Sequence, residues 1–429
     1  MSRRVIQVEE KLPLWESIPL SFQHLFAMFG ASVLVPILFN INPATVLMMN
    51  GIGTLIYIFL TKGKIPAFLG SSFAFLSPVF AVMAGSSYNS ALGGFIVVGL
   101  VFMLVAVIIK FVGNKWLEVV FPPAAMGAIV AIIGLELAPV AAKMAGLVLD
   151  TNNPGLYMNP KVLIVSMTTL AIVVFGSIIF RGFMAIIPIL VGVVGGYCLS
   201  LALGLVDFAP IAAAKWLAMP TIYTPQFNIS AIITILPAAF VVIAEHIGHL
   251  IVTEKIVGRD LIKDPGLHRS LMGDGVSTFL SGLVGSVPTT TYGENIGVLA
   301  ITKVYSVWVI GGAAVISICM AFVGKFAAAI QTIPVPVMGG VSLILFGVIA
   351  ASGIRMLVEE KVDYNKPKNL MLTSVVLIVG LSGAHIIIGK DIRFSGMVLA
   401  TLISIGLSLT LKLLEMAGLL KKAEEDVIA

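Results

Sequence analysis

Apolar residues fall along this chain in long runs, separated by short clusters of Lys, Arg, Gly, Pro and Asn. A helix needs about 20 mostly apolar residues to cross the hydrocarbon core of a bilayer. Matching the runs to that length predicts fourteen spans, near 17–39, 44–61, 66–82, 91–112, 116–138, 162–180, 183–205, 231–254, 271–285, 292–304, 306–324, 332–354, 369–388 and 395–417. The third, ninth and tenth are short and rich in Gly, Ser, Thr or Pro. The fold class this predicts is an all-α polytopic membrane protein.

Composition agrees. Of 429 residues, 59% are hydrophobic and 11% charged, with a mean hydropathy of +1.09. A soluble domain carries roughly 25% charged residues, and a compact soluble fold of this composition would leave too much apolar surface in water. The lipid bilayer is the expected surrounding. The net charge of +5 is no sign of a nucleic-acid partner, because the cations sit in short loops between apolar runs. With the N-terminus inside, 20 Lys and Arg fall on the cytoplasmic side against 6 outside. That bias places both termini in the cytoplasm and supports the span count. Residues 1–16 read as a short cytoplasmic tail without a signal peptide. Cys198 and Cys319 lie far apart in apolar runs, so neither a disulfide framework nor a metal site is expected, and no cofactor.

A weak repeat runs through the chain. Phe121-Pro-Pro-Ala-Ala-Met-Gly127 resembles Ile333-Pro-Val-Pro-Val-Met-Gly339, and Asn50-Gly-Ile-Gly-Thr54 resembles Asp274-Gly-Val-Ser-Thr278. Each pair is a little over 200 residues apart. Two halves of seven spans must be oppositely oriented, because seven is odd, which gives a 7+7 inverted repeat with a midplane site between broken helices. The prolines and glycines of the first pair stand where they can bend helices.

Ionisable groups inside a membrane are costly and are functional candidates by default. In Ala244-Glu-His-Ile-Gly-His249, Glu245 and His249 are four apart and share a helix face, while His246 points elsewhere. A carboxylate and an imidazole on one buried face can hold and pass a proton; the alternative is an ion pair that only locks helices together. In Pro288-Thr-Thr-Thr-Tyr-Gly-Glu-Asn-Ile-Gly297, helix formation is poor. Extended backbone at membrane depth is tolerated only where it is buried in protein or lines a cavity. The counterpart is Pro66-Ala-Phe-Leu-Gly-Ser-Ser-Phe73. Two broken spans with short extended segments, each leading into a half-helix, are expected to face each other; two ordinary kinked helices are the alternative. Glu245 and Glu294 offer acceptors, freed N–H groups offer donors, and Phe73 and Tyr292 offer a stacking face. A small planar solute with alternating N–H and C=O groups fits, and uracil and xanthine both qualify.

Several of these residues carry a resemblance. Gln23-His24, Gly70-Ser-Ser-Phe73, Ala244-Glu-His-Ile-Gly-His249 and Glu294-Asn295-Ile-Gly297-Val-Leu-Ala-Ile-Thr302-Lys303, in that order, are similar to the nucleobase–cation symporter-2 family, also called nucleobase–ascorbate transporters. The resemblance implies a core domain (1–112 with spans 1–4, and 231–325 with spans 8–11) and a gate domain (113–230 with spans 5–7, and 326–429 with spans 12–14 and a cytoplasmic tail). It implies a bacterial inner-membrane symporter of uracil and protons, often a homodimer through the gate domains. Substrate contacts would come from Phe73 and Gly293 backbone and from Glu245 and Glu294, with His249 and Tyr292 close by. Glu245, His249 and Glu294 would couple protons, and His24, Ser72 and Asn295 would support the site. Phe346 departs from the pattern, standing where tyrosine is expected. The alternatives are a xanthine or purine permease of the same family and an anion transporter of the same architecture; two acidic residues at the site argue against the anion. No nucleophile–base arrangement, metal-spaced set or phosphate-binding loop points to an enzyme.

Overall fold

The computed structural model describes residues 4–389 and 392–419. Arg3, Lys390, Lys421 and Lys422, which entered the charge bias, lie outside the described residues, as does the end of the cytoplasmic tail. The main helices are α1 (Leu14–Phe39), α2 (Pro43–Leu60), α3 (Leu76–Gly85), α4 (Tyr88–Val112), α5 (Pro123–Met144), α6 (Pro160–Ile179), α7 (Pro188–Ala202), α8 (Ala238–Val257), α9 (Leu267–Val284), α10 (Gly293–Thr302), α11 (Val307–Ala321), α12 (Val335–Glu359), α13 (Pro367–Leu381) and α14 (Gly396–Met416). Two short strands precede the half-length helices: β1 (Leu69–Ser71) before α3, and β2 (Thr289–Thr291) before α10. Among the described residues, eight helical segments are long and apolar enough to cross a membrane.

Helix starts are written locally. Pro43, Pro123, Pro160, Pro188 and Pro367 each open a helix, where the missing N–H costs nothing. The Asn42 and Asn159 side chains accept from Ala44 N and Lys161 N, capping α2 and α6. The prolines expected to bend helices instead begin them: α5 starts after Pro122, and α12 after Pro334.

Four boundaries differ from expectation. The run 116–138 is interrupted at Phe121-Pro122, so Lys115–Val120 is a separate short helix. The ninth element, expected to be short, is a regular helix of 18 residues, whose Gly, Ser and Thr are buried against neighbours. The eighth bends at Pro237, with Ile229–Ile235 as its first part. The run 369–388 stops as a helix at Leu381, and Ile386–Ile388 enter an exposed hairpin of β3 (His385–Ile388) and β4 (Ile392–Ser395). Gly383, at φ +74°, turns the chain there, and three β-branched residues favour a strand.

The inverted repeat is visible in the packing. α2 packs on α11 and α9 on α4; α6 pairs with α7 and α13 with α14; α12 packs on α6 and α13 on α5. Each contact recurs with the halves exchanged, and α5–α12, α2–α9 and β1–β2 join equivalent elements directly. Small residues make these approaches possible. Gly51 meets the backbone of Ala314 on α11, and its repeat equivalent Gly275 meets Phe102 and Met103 on α4. Between α5 and α12, Gly134 abuts Phe346 and Ala350, and Gly353 abuts Gly127 and Ala131.

Ion pairs gather at one end of the molecule. Lys64–Asp264 (2.5 Å), Lys255–Glu360 (2.8 Å), Arg259–Glu9 (2.5 Å) and Lys368–Glu415 (3.7 Å) all lie there. The N-terminal segment joins this end, Ile6 bridging to Val304. The Arg259 guanidinium holds the Glu9 carboxyl below its ordinary range, and Lys64 does the same for Asp264.

Candidate functional site

β1 and β2 pair antiparallel, Leu69 opposite Thr291 and Ser71 opposite Thr289. The pairing continues through Ser72 N to Pro288 O (2.9 Å) and Tyr292 N to Phe68 O (3.0 Å). Main-chain groups that two broken helices would otherwise leave unpaired are thus satisfied across the repeat. Each strand is also held by a threonine from the helix before it. Thr54 Oγ1 accepts from Leu69 N at 2.9 Å, and Thr278 Oγ1 accepts from Thr289 N at 3.2 Å. These threonines end the two matching sequence motifs, so the repeat seen in sequence is the device that anchors the strands.

Beyond the strands, the chain turns into helix at Phe73 and at Gly293. The first-turn N–H groups of both have no intrahelical acceptor. They open on one cavity of about 240 Å³, lined by Phe73, Glu245, His249, Thr291, Gly293 and Glu294, with Val130 of α5 and Ser352 and Arg355 of α12 opposite. A second space of about 110 Å³ shares His249, Gly293, Ser352 and Arg355 and runs on to Ile256, Ala300 and Glu359, at the charged end. A larger cavity, about 450 Å³, lies elsewhere, at the other end between α3, Asn228–Ala231 and Arg393. Among the described residues, no carboxylate lines it.

Glu245 is buried, and its Oε2 has no hydrogen-bond partner among the described residues. His249 lies on the same helix face, Nδ1 being 3.3 Å from Thr291 Oγ1, and its ring fills the space beside Gly293 where a side chain would stand. Phe73 meets Phe346 edge to face, centroids 5.7 Å apart; the departure at Phe346 therefore bears on a ring that lines the cavity. Tyr292 covers Gly70, which has no Cβ to obstruct it, and its hydroxyl lies 3.4 Å from Ser32 Oγ. That ring is buried over β1. His24 and Asn295 form a clamp between α1 and α10: Asn295 Nδ2 donates to His24 O and lies 3.1 Å from His24 Nδ1. Ser72 continues the strand through its main chain, while Ser71 faces the cavity.

Sequence reasoning missed Asp274. It lies 2.7 Å from His246 Nδ1, both side chains fully buried, and His246 Nε2 is 2.8 Å from Ser270 Oγ, itself 2.6 Å from Tyr57 Oη. An acid in an apolar run was the available signal. Arg355 is also absent from the sequence candidates, because it falls just beyond the predicted span 332–354. The described residues hold it at the cavity, bonded to Glu359 at 2.9 Å.

Residues 16–389 match a permease family, the nucleobase–ascorbate transporters. The chain is 64% identical to the uracil permease of Escherichia coli (strain K12) over 414 residues, 96% of this chain and 95% of that one. The chain belongs to this family. It is 48% identical to the uracil permease of Bacillus subtilis (strain 168), covering 92% of each. Its relatives are permeases, so this is a multi-pass membrane transporter and not an enzyme. Among solved structures, the transmembrane domain of a cyanobacterium bicarbonate transporter, BicA, superposes with TM-score 0.66 at 15% identity, over 95% of this chain and all of that one. The murine solute carrier 26 family member A9 anion transporter, in its inward-facing state, gives 0.67 at 13%, over 95% of this chain and 69% of that one. These two share the fold.

Proposed function

We propose that this chain imports uracil in symport with protons across a bacterial inner membrane. The observation that carries the reading is the buried, unpartnered Oε2 of Glu245 in a cavity onto which two half-helix N-termini open. An unsatisfied buried acceptor is costly. A flat ring with alternating N–H and C=O groups meets the need: its N–H groups donate to Glu245 and Glu294, and its carbonyls accept from the N–H groups at Phe73 and Gly293. Phe73 offers a ring to pack against, supported by Phe346. The names of the relatives favour uracil over a purine, and two carboxylates at the cavity disfavour an anion.

A neutral cargo moves no charge, so accumulating it requires a co-transported ion. Glu245, His249 and Glu294 line the cavity together and titrate as a coupled group. The proposal includes fourteen crossings with both termini cytoplasmic, supported by the charges at one end. It also includes a moving division between a core unit (1–112 and 231–325) and a gate unit (113–230 and 326–429), supported by the strongest helix pairings lying within each set. The site then opens to the cytoplasm in this state, and a homodimer would form through the gate units. Competition of labelled uracil uptake by unlabelled uracil, xanthine and bicarbonate, with and without a protonophore, tests the reading. Uracil alone should compete strongly, the protonophore should abolish accumulation, and replacing sodium with choline should change nothing. Sodium-dependent uptake that ignores the protonophore would end the proton reading.

A further inference from the structure

One half-buried carboxylate lies away from the cargo cavity. Glu136 projects from the middle of α5, and it is tied on two sides. Ser77 Oγ donates to its Oε1 at 2.7 Å, and Met397 N donates to its Oε2 at 2.8 Å. Ser77 is on α3, one helical turn beyond Phe73, so it shares a face with that residue. Met397 N is in the first turn of α14, where main-chain N–H groups lack intrahelical acceptors and favour an anion. Gly396, at φ +55°, lies directly beneath the carboxylate; a Cβ there would collide with both oxygens. The carboxylate therefore joins α5 and α14 of the gate unit to the core half-helix that carries Phe73. Running outward from Phe73, α3 ends at Ala84 and Gly85 on the wall of the 450 Å³ cavity, so this tie stands between the cargo site and the outer end.

No cation shares Glu136 among the described residues. α3 is uncharged, and α14 has no charge before Lys412. Lys143 on its own helix, His385 and Arg393 in the hairpin, Glu245, His246, His249, Glu254 and Lys255 on α8, Lys368 on α13, Arg355 and Glu359 on α12, and Lys412 and Glu415 on α14 are the described ionisable groups on the elements around it. None forms an ion pair with it. Its hold depends on its own charge, because hydrogen bonds to an ionised acceptor are about twice as strong as neutral ones.

We propose that Glu136 is an outer latch that an external proton opens. As a carboxylate it ties α3 to α5 and α14 and keeps the outer side closed; protonation weakens both bonds and lets the core unit move from the gate. The latch rests on the transport reading above for its orientation, and it adds a proton site separate from the cargo.

The test uses the full chain with Cys198 and Cys319 replaced by Ser. A single cysteine is placed at Val82, buried on the wall of the outer cavity, or at the exposed Ala213 as reference. Right-side-out vesicles without cargo are labelled with an impermeant maleimide. Dividing the Val82 rate by the Ala213 rate removes the thiol's own pH dependence. The ratio should rise as external pH falls from neutral. Glu136→Gln should raise it about tenfold at neutral pH, the scale of one charge-assisted hydrogen bond, and remove the pH response. Ser77→Ala, a milder change, should raise the ratio less and keep part of that response. A Glu136→Gln ratio at the parent's level, or one that keeps the parent's pH response, overturns the latch. Uracil uptake by the same vesicles is read separately, so failure of the cargo assignment is distinguishable from failure of the latch.

Discussion

Leu69–Ser71 and Thr289–Thr291 reach the site in the same way, each held by a threonine from the preceding helix and each leading into a half-helix. Their chemistry differs. From Leu69 to Gly85 the first repeat carries no ionisable group and presents main chain and the Phe73 ring. The second presents Glu294 in the first turn of α10, and its partner helix α8 adds Glu245 and His249. The first-repeat counterpart of α8 is α1, whose one histidine, His24, is committed to Asn295. The duplicated scaffold supplies geometry twice, and divergence has put the titratable groups on one side only. Such a site can offer main chain to a neutral ring from both repeats, while the groups able to hold a proton come from the second alone.

The heaviest blow to this asymmetry is Glu245→Ala. It removes the proposed acceptor for ring N–H groups at a buried position, where an unpaired group costs about 1–3 kcal/mol. Uracil binding to the purified protein should weaken roughly tenfold or more; wild-type affinity would remove Glu245 from the site. His249→Ala comes next and separates coupling from recognition. Accumulation against a gradient should fall more than equilibrium binding does. A parallel fall in both would make His249 an orienting partner of Glu245. On the first repeat, Phe73→Ala should weaken binding by about 0.5–1.5 kcal/mol of ring contact, with Phe73→Tyr close to the parent; equal full activity in both would place this segment outside the site.

Thr54→Ala and Thr278→Ala sharpen the comparison, because they remove equivalent bonds. Each should lower thermal stability by a similar amount, on the order of 1 kcal/mol. Only Thr278→Ala should also weaken binding clearly, because β2 leads into Glu294. Equal binding losses would mean that both repeats contribute alike. The smallest effect is expected at Glu9. Arg259 lowers its acidity constant's pH, so the tie between the N-terminal segment and α8 is present above the ordinary carboxylate range and is lost as pH falls through Glu9's lowered value. Glu9→Gln should speed hydrogen exchange at Ile6, Tyr305 and Val307 at neutral pH and change little in strong acid. The pair is largely exposed, which keeps the effect slight.

The long apolar runs made the helices legible, because bilayer thickness sets their length. The broken spans were legible from Pro288–Gly297, where threonines and glycines contradict a helix. Helix ends were harder. A proline reads as a bend or as a start, and at Pro122 and Pro334 only the packing of α5 against α12 decides. The hairpin at His385–Ser395 looked like membrane helix, since three isoleucines suit either. At the site, Glu245, His249 and Glu294 stood out as charges in apolar surroundings. Asp274 was masked by its use as a repeat marker, and Arg355 by its place near a helix end. Val130 and Ser352 belong to the cavity only because α5 and α12 cross it, a long-range fact that no local pattern carries.

The β1–β2 pair has a consequence for synthesis. The hydrogen-bonding partners of Leu69–Ser71 are encoded more than 200 residues downstream. At a ribosomal pace of roughly 5–20 residues per second, β1 waits on the order of ten seconds or longer for them. Lipid cannot satisfy its main chain meanwhile. The nascent third span therefore has to remain beside water or the insertion machinery until the second repeat emerges, and the two halves, made as separate polypeptides, should accumulate only when produced together.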